Sequence, residues 1–311
     1  MGLLQKQFCS FSLVLFVILF SSPDIASASV EEATALLKWK ETLQSANNSV
    51  PVVLPTWELN PKNGSSSSAG SPCRWFGVSC NAEGSVNQLN LTNSGIKGTL
   101  ETFSFSSFLN LAYVDLSMNE LSGPIPPQIS SLPLVYLDLS MNEFSGNIPP
   151  EIGHLTNLKT LHLVENRLNG SIPPEIGQLR SLSELALYSN HLSGSIPSSL
   201  GNLSNLVSLY LYDNQLFGSI PEDIGNLTNL EFVYMNSNGL TGPIPSTFGN
   251  LNRLTELQLY NNTLSGSIPE EIGKLKGLVI LFFNNNNLTG SIPPSLVEVV
   301  KLIRFEDDRA Q

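Results

Sequence analysis

The apolar positions of this chain return every 24 residues. In residues 182–197 the order is L-S-E-L-A-L-Y-S-N-H-L-S-G-S-I-P, and its framework recurs in stretches that start at Leu206, Leu230, Leu254 and Leu278. Upstream copies start at Leu158, Leu134 and Leu111, and a degenerate first copy at Val86. Within one copy Leu185 and Leu187 alternate with Glu184, Ala186 and Tyr188. That is the period of a β-strand, with the leucines on the inner side and the intervening residues on a concave face.

After the strand the chain must turn while its backbone groups are still buried. An Asn offers two donors and an acceptor there. Stacked copies give the ladder Asn119, Asn142, Asn166, Asn190, Asn214, Asn238, Asn262 and Asn286, with Ser94 in the slot of the first copy. Gly194 and its equivalents allow close approach or a positive φ. Ile196 fills the core, Pro197 forbids a regular helix on the outer side, and Leu200 and Leu203 close the coil. No single copy can bury its apolar side alone, so neighbours must stack. Nine strands about 4.8 Å apart make an inner arc of roughly 40 Å, which an extended peptide of about twelve residues would span.

The segment before the repeats has a different pattern. Residues 1–28 read as a secretory signal: Lys6 is the basic flank, residues 11–20 are an apolar run too short for a bilayer, and Ala26-Ser27-Ala28 fits a cleavage site. An uncleaved anchor is the other reading. Residues 31–45 are expected to form a short amphipathic helix, with Leu36, Trp39, Lys40 and Leu43 at helical spacing and Glu31 and Glu32 in its first turn. The polar run 60–71 reads as a loop. Once Cys9 leaves with the signal, Cys73 and Cys80 remain, and an even number in an exported chain argues for a disulfide. A metal pair is rejected, because nothing nearby completes four ligands.

The pattern L-x-x-L-x-L-x-x-N-x-L is the leucine-rich-repeat signature, and its extension x-G-x-I-P resembles the plant extracellular variety. The block Ser71-Pro72-Cys73-Arg74-Trp75-Phe76-Gly77-Val78-Ser79-Cys80, with Ala35-Leu36-Leu37-Lys38-Trp39-Lys40 before it, resembles the N-terminal cap of plant leucine-rich-repeat receptor-like kinases. The wording resembles the group around the male-discoverer-interacting receptor kinase. The resemblance implies an α/β-type solenoid, a right-handed superhelix with a parallel concave sheet and an N-terminal helical and disulfide cap. It divides the chain into a signal (1–28), a cap (29–85), repeats (86–293) and a partial last repeat (294–311). In such receptors an ectodomain precedes one membrane helix and a kinase. The expectation here is a truncated ectodomain, with a short secreted derivative as the alternative. In the last segment Val300, Ile303 and Phe305 could start another strand. An open edge carrying Phe283, Ile303 and Phe305 would aggregate or fray.

The formal net charge is −11 with scattered basic residues, which disfavours nucleic acid and anionic membranes as partners. Only 13% of residues are charged, so solubility leans on Asn, Ser, Thr and glycans. N-x-[ST] sequons fall at Asn47, Asn63, Asn90, Asn169, Asn202, Asn226, Asn261 and Asn287. Asn202 and Asn226 belong to the outer side, whereas Asn90 and Asn261 fall beside strands, where the fold is expected to restrict access.

No catalytic constellation is legible. His154, His162 and His191 occupy different repeat slots, with His162 on the concave face, and no Ser/His/Asp set shares a depth. No phosphate loop or kinase motif occurs, and no cofactor or metal is implied. The concave rows carry the variation. Their N-terminal half is polar and acidic. Their C-terminal half groups Tyr188, Tyr210, Tyr212, Phe232, Tyr234, Tyr260 and Phe282, flanked by Glu165, Glu184, Asp213 and Glu256. Grouped aromatics offer large contact area at low entropy cost, although tyrosine and phenylalanine also simply suit strands. The expected function is therefore ligand binding: capture of a secreted peptide or protein by a receptor-type ectodomain, with a leucine-rich-repeat co-receptor as a further partner. An Arg-x-Arg grip on a peptide carboxylate is absent from these slots. The alternatives are a secreted inhibitor of a cell-wall hydrolase, resembling the polygalacturonase inhibitors, and a non-functional fragment.

Overall fold

The computed structural model describes residues 25–45, 54–58, 71–297 and 302–304. The apolar run of the signal, the sequons Asn47 and Asn63, most of the 60–71 segment, Val300 and Phe305 lie outside the described residues. Each 24-residue copy forms one coil, and the coils stack through two parallel sheets. One sheet has 11 strands and contains the segment between the two leucine positions, for example Glu184–Ala186 and Ser208–Tyr210. Leu185 pairs with Leu161 on one side and Leu209 on the other, so a step of 24 residues keeps every side chain on its own face. The leucines at 182, 185, 187, 192, 200, 203 and 206 are fully buried. Full burial of one such side chain is worth about 1.5–3 kcal/mol.

The second sheet has 10 strands and was not foreseen from the pattern. It arises in the segment after each ladder Asn, for example Gln215–Ser219 and Gly239–Gly242. Sequence reading noted only the glycine of this segment, and just one apolar residue, such as Leu216, is buried in it. Backbone pairing between coils makes it a strand. The outer segments are short 3₁₀ turns such as Ser198–Asn202, entered through Pro197. The expected exclusion of a regular helix holds there, and the "α" of the α/β description shrinks to these turns. Gly201 shows why the packing is tight: a Cβ there would lie 2.5 Å from the carbonyl oxygen of Asp223 in the next coil.

The ladder works as the side-chain inventory requires. Asn190 Nδ2 donates to the carbonyls of Leu163 (2.9 Å), Leu187 (3.2 Å) and Tyr188 (3.2 Å), and its Oδ1 accepts from the N–H of Leu168 at 3.0 Å. One side chain thus ties two coils together. The residue before each ladder Asn takes the left-handed backbone region, as at Ser189 (φ 54) and Asp213 (φ 54). Gly194, at φ 77, supplies the second reversal. In the first coil Ser94 makes no such set. Its own N–H and that of Ile96 instead reach Asn119 Oδ1 of the following coil.

The N-terminal cap differs from expectation in its helix. Helix α1 spans Ile25–Lys40 rather than 31–45. It stops because the chain is wanted elsewhere: Gln44–Ser45 pairs antiparallel with Ile96–Gly98 and closes the edge of the second sheet. Leu43 is buried at this corner. Glu32, expected in the first turn of the helix, lies inside it and is only 2% exposed. Its carboxylate accepts from Ser85 Oγ (2.6 Å) and from the N–H of Val86 (3.0 and 3.1 Å), at the point where the first concave strand begins. Trp39, Trp57 and Trp75 pack in series over the first coil, with centroid separations of 6.4 and 5.6 Å. Cys73 and Cys80 form a disulfide.

At the other end Phe283 is buried rather than open. Strand Leu302–Arg304 adds to the concave sheet, with Ile303 opposite Leu281, which continues the leucine position. Among the described residues no helix is long and apolar enough to cross a membrane.

Candidate functional site

The concave sheet displays its variable rows at strand spacing. Tyr188, Tyr210, Tyr212, Phe232, Tyr234, Tyr260 and Phe282 are all half-buried on it, and none is turned into the core. The rows bring them together in pairs. Tyr188 stacks on Tyr212 with centroids 4.2 Å apart and planes 12° from parallel. Tyr210 and Tyr234 tilt together at 5.0 Å, and Tyr260 meets Phe282 edge-on at 6.2 Å. Desolvation pushes the hydroxyl pKa of Tyr210, Tyr212 and Tyr234 upward, so these rings remain neutral donors and acceptors throughout the physiological range.

Three of the four acids around them have partners. Glu256 accepts the Tyr234 hydroxyl. Asp213, which is exposed, accepts from Ser189 Oγ at 2.8 Å. Glu184 lies 3.2 Å from His162 Nε2, as a charge contact out of line for a directed hydrogen bond. The field of the face is therefore acidic but partly internally compensated. Glu165 is exposed at a left-handed turn position.

Sequence reading missed a second cluster in the polar half. His162 sits between two carboxylates, with Nδ1 3.3 Å from Asp138 Oδ2 and Glu184 beyond its other nitrogen. The Tyr136 hydroxyl donates to Asp138 at 3.3 Å, and Tyr136 stacks on Tyr113 with centroids 4.2 Å apart. Burial alone would push the imidazole pKa down. The contacts with Asp138 and Glu184 outweigh it and raise the pKa to about 9. Desolvation opposes ionisation of Asp138, yet the bonds from His162 and Ser140 hold its pKa below the usual value. The signal was available in the sequence: Asp138 and His162 stand 24 residues apart in one row, and Glu184 follows in the adjacent row. Sequence reading placed His162 on the concave face but did not pair it with these acids. The cluster lacks a nucleophile placed for attack, and its charges are paired with one another, with His162 Nε2 left without a directed hydrogen bond. Among the described residues no group of three or more His, Cys, Asp or Glu is placed to hold a metal.

Of the sequons on described residues, Asn169, Asn202, Asn226, Asn261 and Asn287 are exposed. Asn90 is half-buried, and its Oδ1 accepts from the N–H and hydroxyl of Thr92. The restriction expected at Asn261 is not present.

Three family models tile the chain: a leucine rich repeat N-terminal domain over residues 30–81, a leucine-rich repeat region over 86–230, and single leucine rich repeats over 229–251, 253–275 and 277–298. A probable leucine-rich repeat receptor-like protein kinase of Arabidopsis thaliana is 49% identical over 132 residues, 42% of this chain and 11% of that protein. MDIS1-interacting receptor like kinase 2 of the same plant is 51% identical over 115 residues, 37% of this chain and 10% of that protein. The aligned part of this chain thus spans about a tenth of each relative's length. Among solved structures, the ectodomain of the Arabidopsis receptor kinase GASSHO1/SCHENGEN3 in complex with CASPARIAN STRIP INTEGRITY FACTOR 2 superposes with a TM-score of 0.78 at 37% identity, covering 86% of this chain and 31% of that one. The HAESA ectodomain in complex with an IDA peptide hormone ligand does so at 0.74 and 32%, covering 88% and 45%. HAESA bound to both IDA and the co-receptor SERK1 matches at 0.54 and 29%, covering 88% and 56%.

Proposed function

Because the chain is a leucine-rich-repeat protein with the leucine-rich-repeat N-terminal domain, and its relatives are Arabidopsis receptor-like kinases, we propose that it acts outside the cell as a peptide-capturing ectodomain module. The observation that carries this reading is the paired, half-buried aromatic array on the C-terminal half of the concave sheet. Its rings are pre-set by stacking, so a ligand gains contact area without ordering them. The partly compensated acidic surround favours an extended peptide with apolar side chains and neutral or basic polar groups. The receptor complexes named above support this reading, since the HAESA ectodomain holds a peptide hormone in two of them. Recruitment of a co-receptor would follow peptide binding. The module itself catalyses nothing in this scheme.

The test pans a phage-displayed library of random dodecapeptides against the secreted chain. Enriched peptides are then titrated against wild type and Tyr210→Ala/Tyr234→Ala. A loss of tenfold or more in affinity is expected. An unchanged Kd removes the aromatic face from the site.

A further inference from the structure

We infer that Asn236 is the specificity-determining residue of the aromatic face and that it reads a backbone peptide group of an extended ligand; this rests on the peptide-binding reading above. Asn236 stands in the row Tyr188, Tyr212, Asn236, Tyr260 and interrupts it with a carboxamide. Alternation along the chain puts Val233 and Met235 in the core and Asn236 on the concave side with Tyr234. It is only 4% exposed, and the same slot one coil away on either side holds Tyr212 and Tyr260. Its Oδ1 is buried and has no hydrogen-bond partner.

Among the described residues two other buried side-chain atoms, Asn87 Oδ1 and His162 Nε2, also lack a partner, but neither belongs to the aromatic half of the concave face. Two residues beyond Asn236, Asn238 is saturated: its Oδ1 accepts from the N–H of Leu216, and its Nδ2 donates to the carbonyls of Leu211, Met235 and Asn236. The ladder asparagine is satisfied by the fold, and Asn236 is not. The hydroxyl of Tyr234, two residues before it in the chain, is given to Glu256. A buried polar atom left without a partner is costly, and on a ligand-binding face a bound peptide can supply the missing bond.

The chemistry of the complement follows from the group. A carboxamide presents a donor and an acceptor in one plane, which matches the C=O and N–H of a peptide unit. An alcohol would satisfy one half only. A carboxylate would meet Glu184, Asp213 and Glu256 across the same face. An apolar group would leave the orphan unpaired, and sites of this kind reject such analogues strongly. The aromatic walls exclude water, which strengthens the bond once it is made.

The experiment uses an enriched dodecapeptide from the panning above and versions with each backbone amide N-methylated in turn. Each is titrated against wild type, Asn236→Leu and Asn236→Asp, and apo Tm is measured for all three proteins. Expected: one internal N-methylation costs wild type at least tenfold, Asn236→Asp retains that penalty as an acceptor, and Asn236→Leu loses it. Apo Asn236→Leu melts no lower than wild type. The same N-methylation profile in wild type and Asn236→Leu overturns the assignment, as does a lowered Tm with unchanged Kd, which would mark Asn236 as structural. If those arms fail while Tyr210→Ala/Tyr234→Ala still weakens binding, the aromatic reading stands without Asn236. If that double variant binds normally, both fall.

Discussion

His162 Nδ1 lies 3.3 Å from Asp138 Oδ2, a carboxylate one coil upstream on the concave sheet. With Glu184 on its other side, the ring bridges three neighbouring strands. Its folded pKa of about 9 exceeds the ordinary value of 6.5. The protonated form is therefore favoured by folding. The stabilisation is complete below about pH 6.5 and is lost as pH rises through about 9. Replacing His162 by Gln should lower stability by on the order of 1–3 kcal/mol at pH 6 and by little at pH 10. Thermal unfolding of both proteins across that range checks it, and parallel pH curves would refute the pairing.

Asn190→Ala should cost about 3 kcal/mol, because it strands three carbonyls and one N–H that are buried between coils. Asn286→Ala should cost less, since its slot is only half-buried. Urea denaturation of both variants decides whether the ladder is stronger inside the stack than near its end.

The two kinds of glycine in the coil should respond differently to alanine. At Gly177 a Cβ would meet the Ser199 carbonyl oxygen at 2.3 Å, a backbone atom of the next coil that cannot swing aside. At Gly95 nothing lies within 4 Å and only a φ of 62° opposes the change. Gly177→Ala should destabilise by more than about 2 kcal/mol and Gly95→Ala by about 1 kcal/mol. Equal melting temperatures would contradict the close contact between coils.

Cutting the cap disulfide with Cys73→Ser/Cys80→Ser releases a loop with a sequence separation of only 7. A loop that short constrains the unfolded chain modestly, so the expected loss is about 2 kcal/mol. The larger effect should come from Trp39→Ala, at about 3–5 kcal/mol, because its buried ring also donates to the carbonyl of Thr99 at 2.9 Å. Denaturation monitored by tryptophan fluorescence ranks the two.

What the linear order of residues determined was the coil. Leu185, Leu187, Leu192 and Ile196 have their roles because period-2 alternation, a buried Asn turn and a Pro stop are short-range instructions read within one repeat. The same order placed Tyr188, Tyr210 and Tyr234 on the open face. The limit of helix α1, the buried position of Glu32, the second sheet through Gln215–Ser219, the His162 bridge and the orphaned Asn236 were decided by stacking. Each depends on which groups meet from coils 24 or more residues apart, or on an edge strand that must find a partner. Backbone pairing and shared burial across coils set those contacts, and they leave no period in the sequence that a single repeat can show.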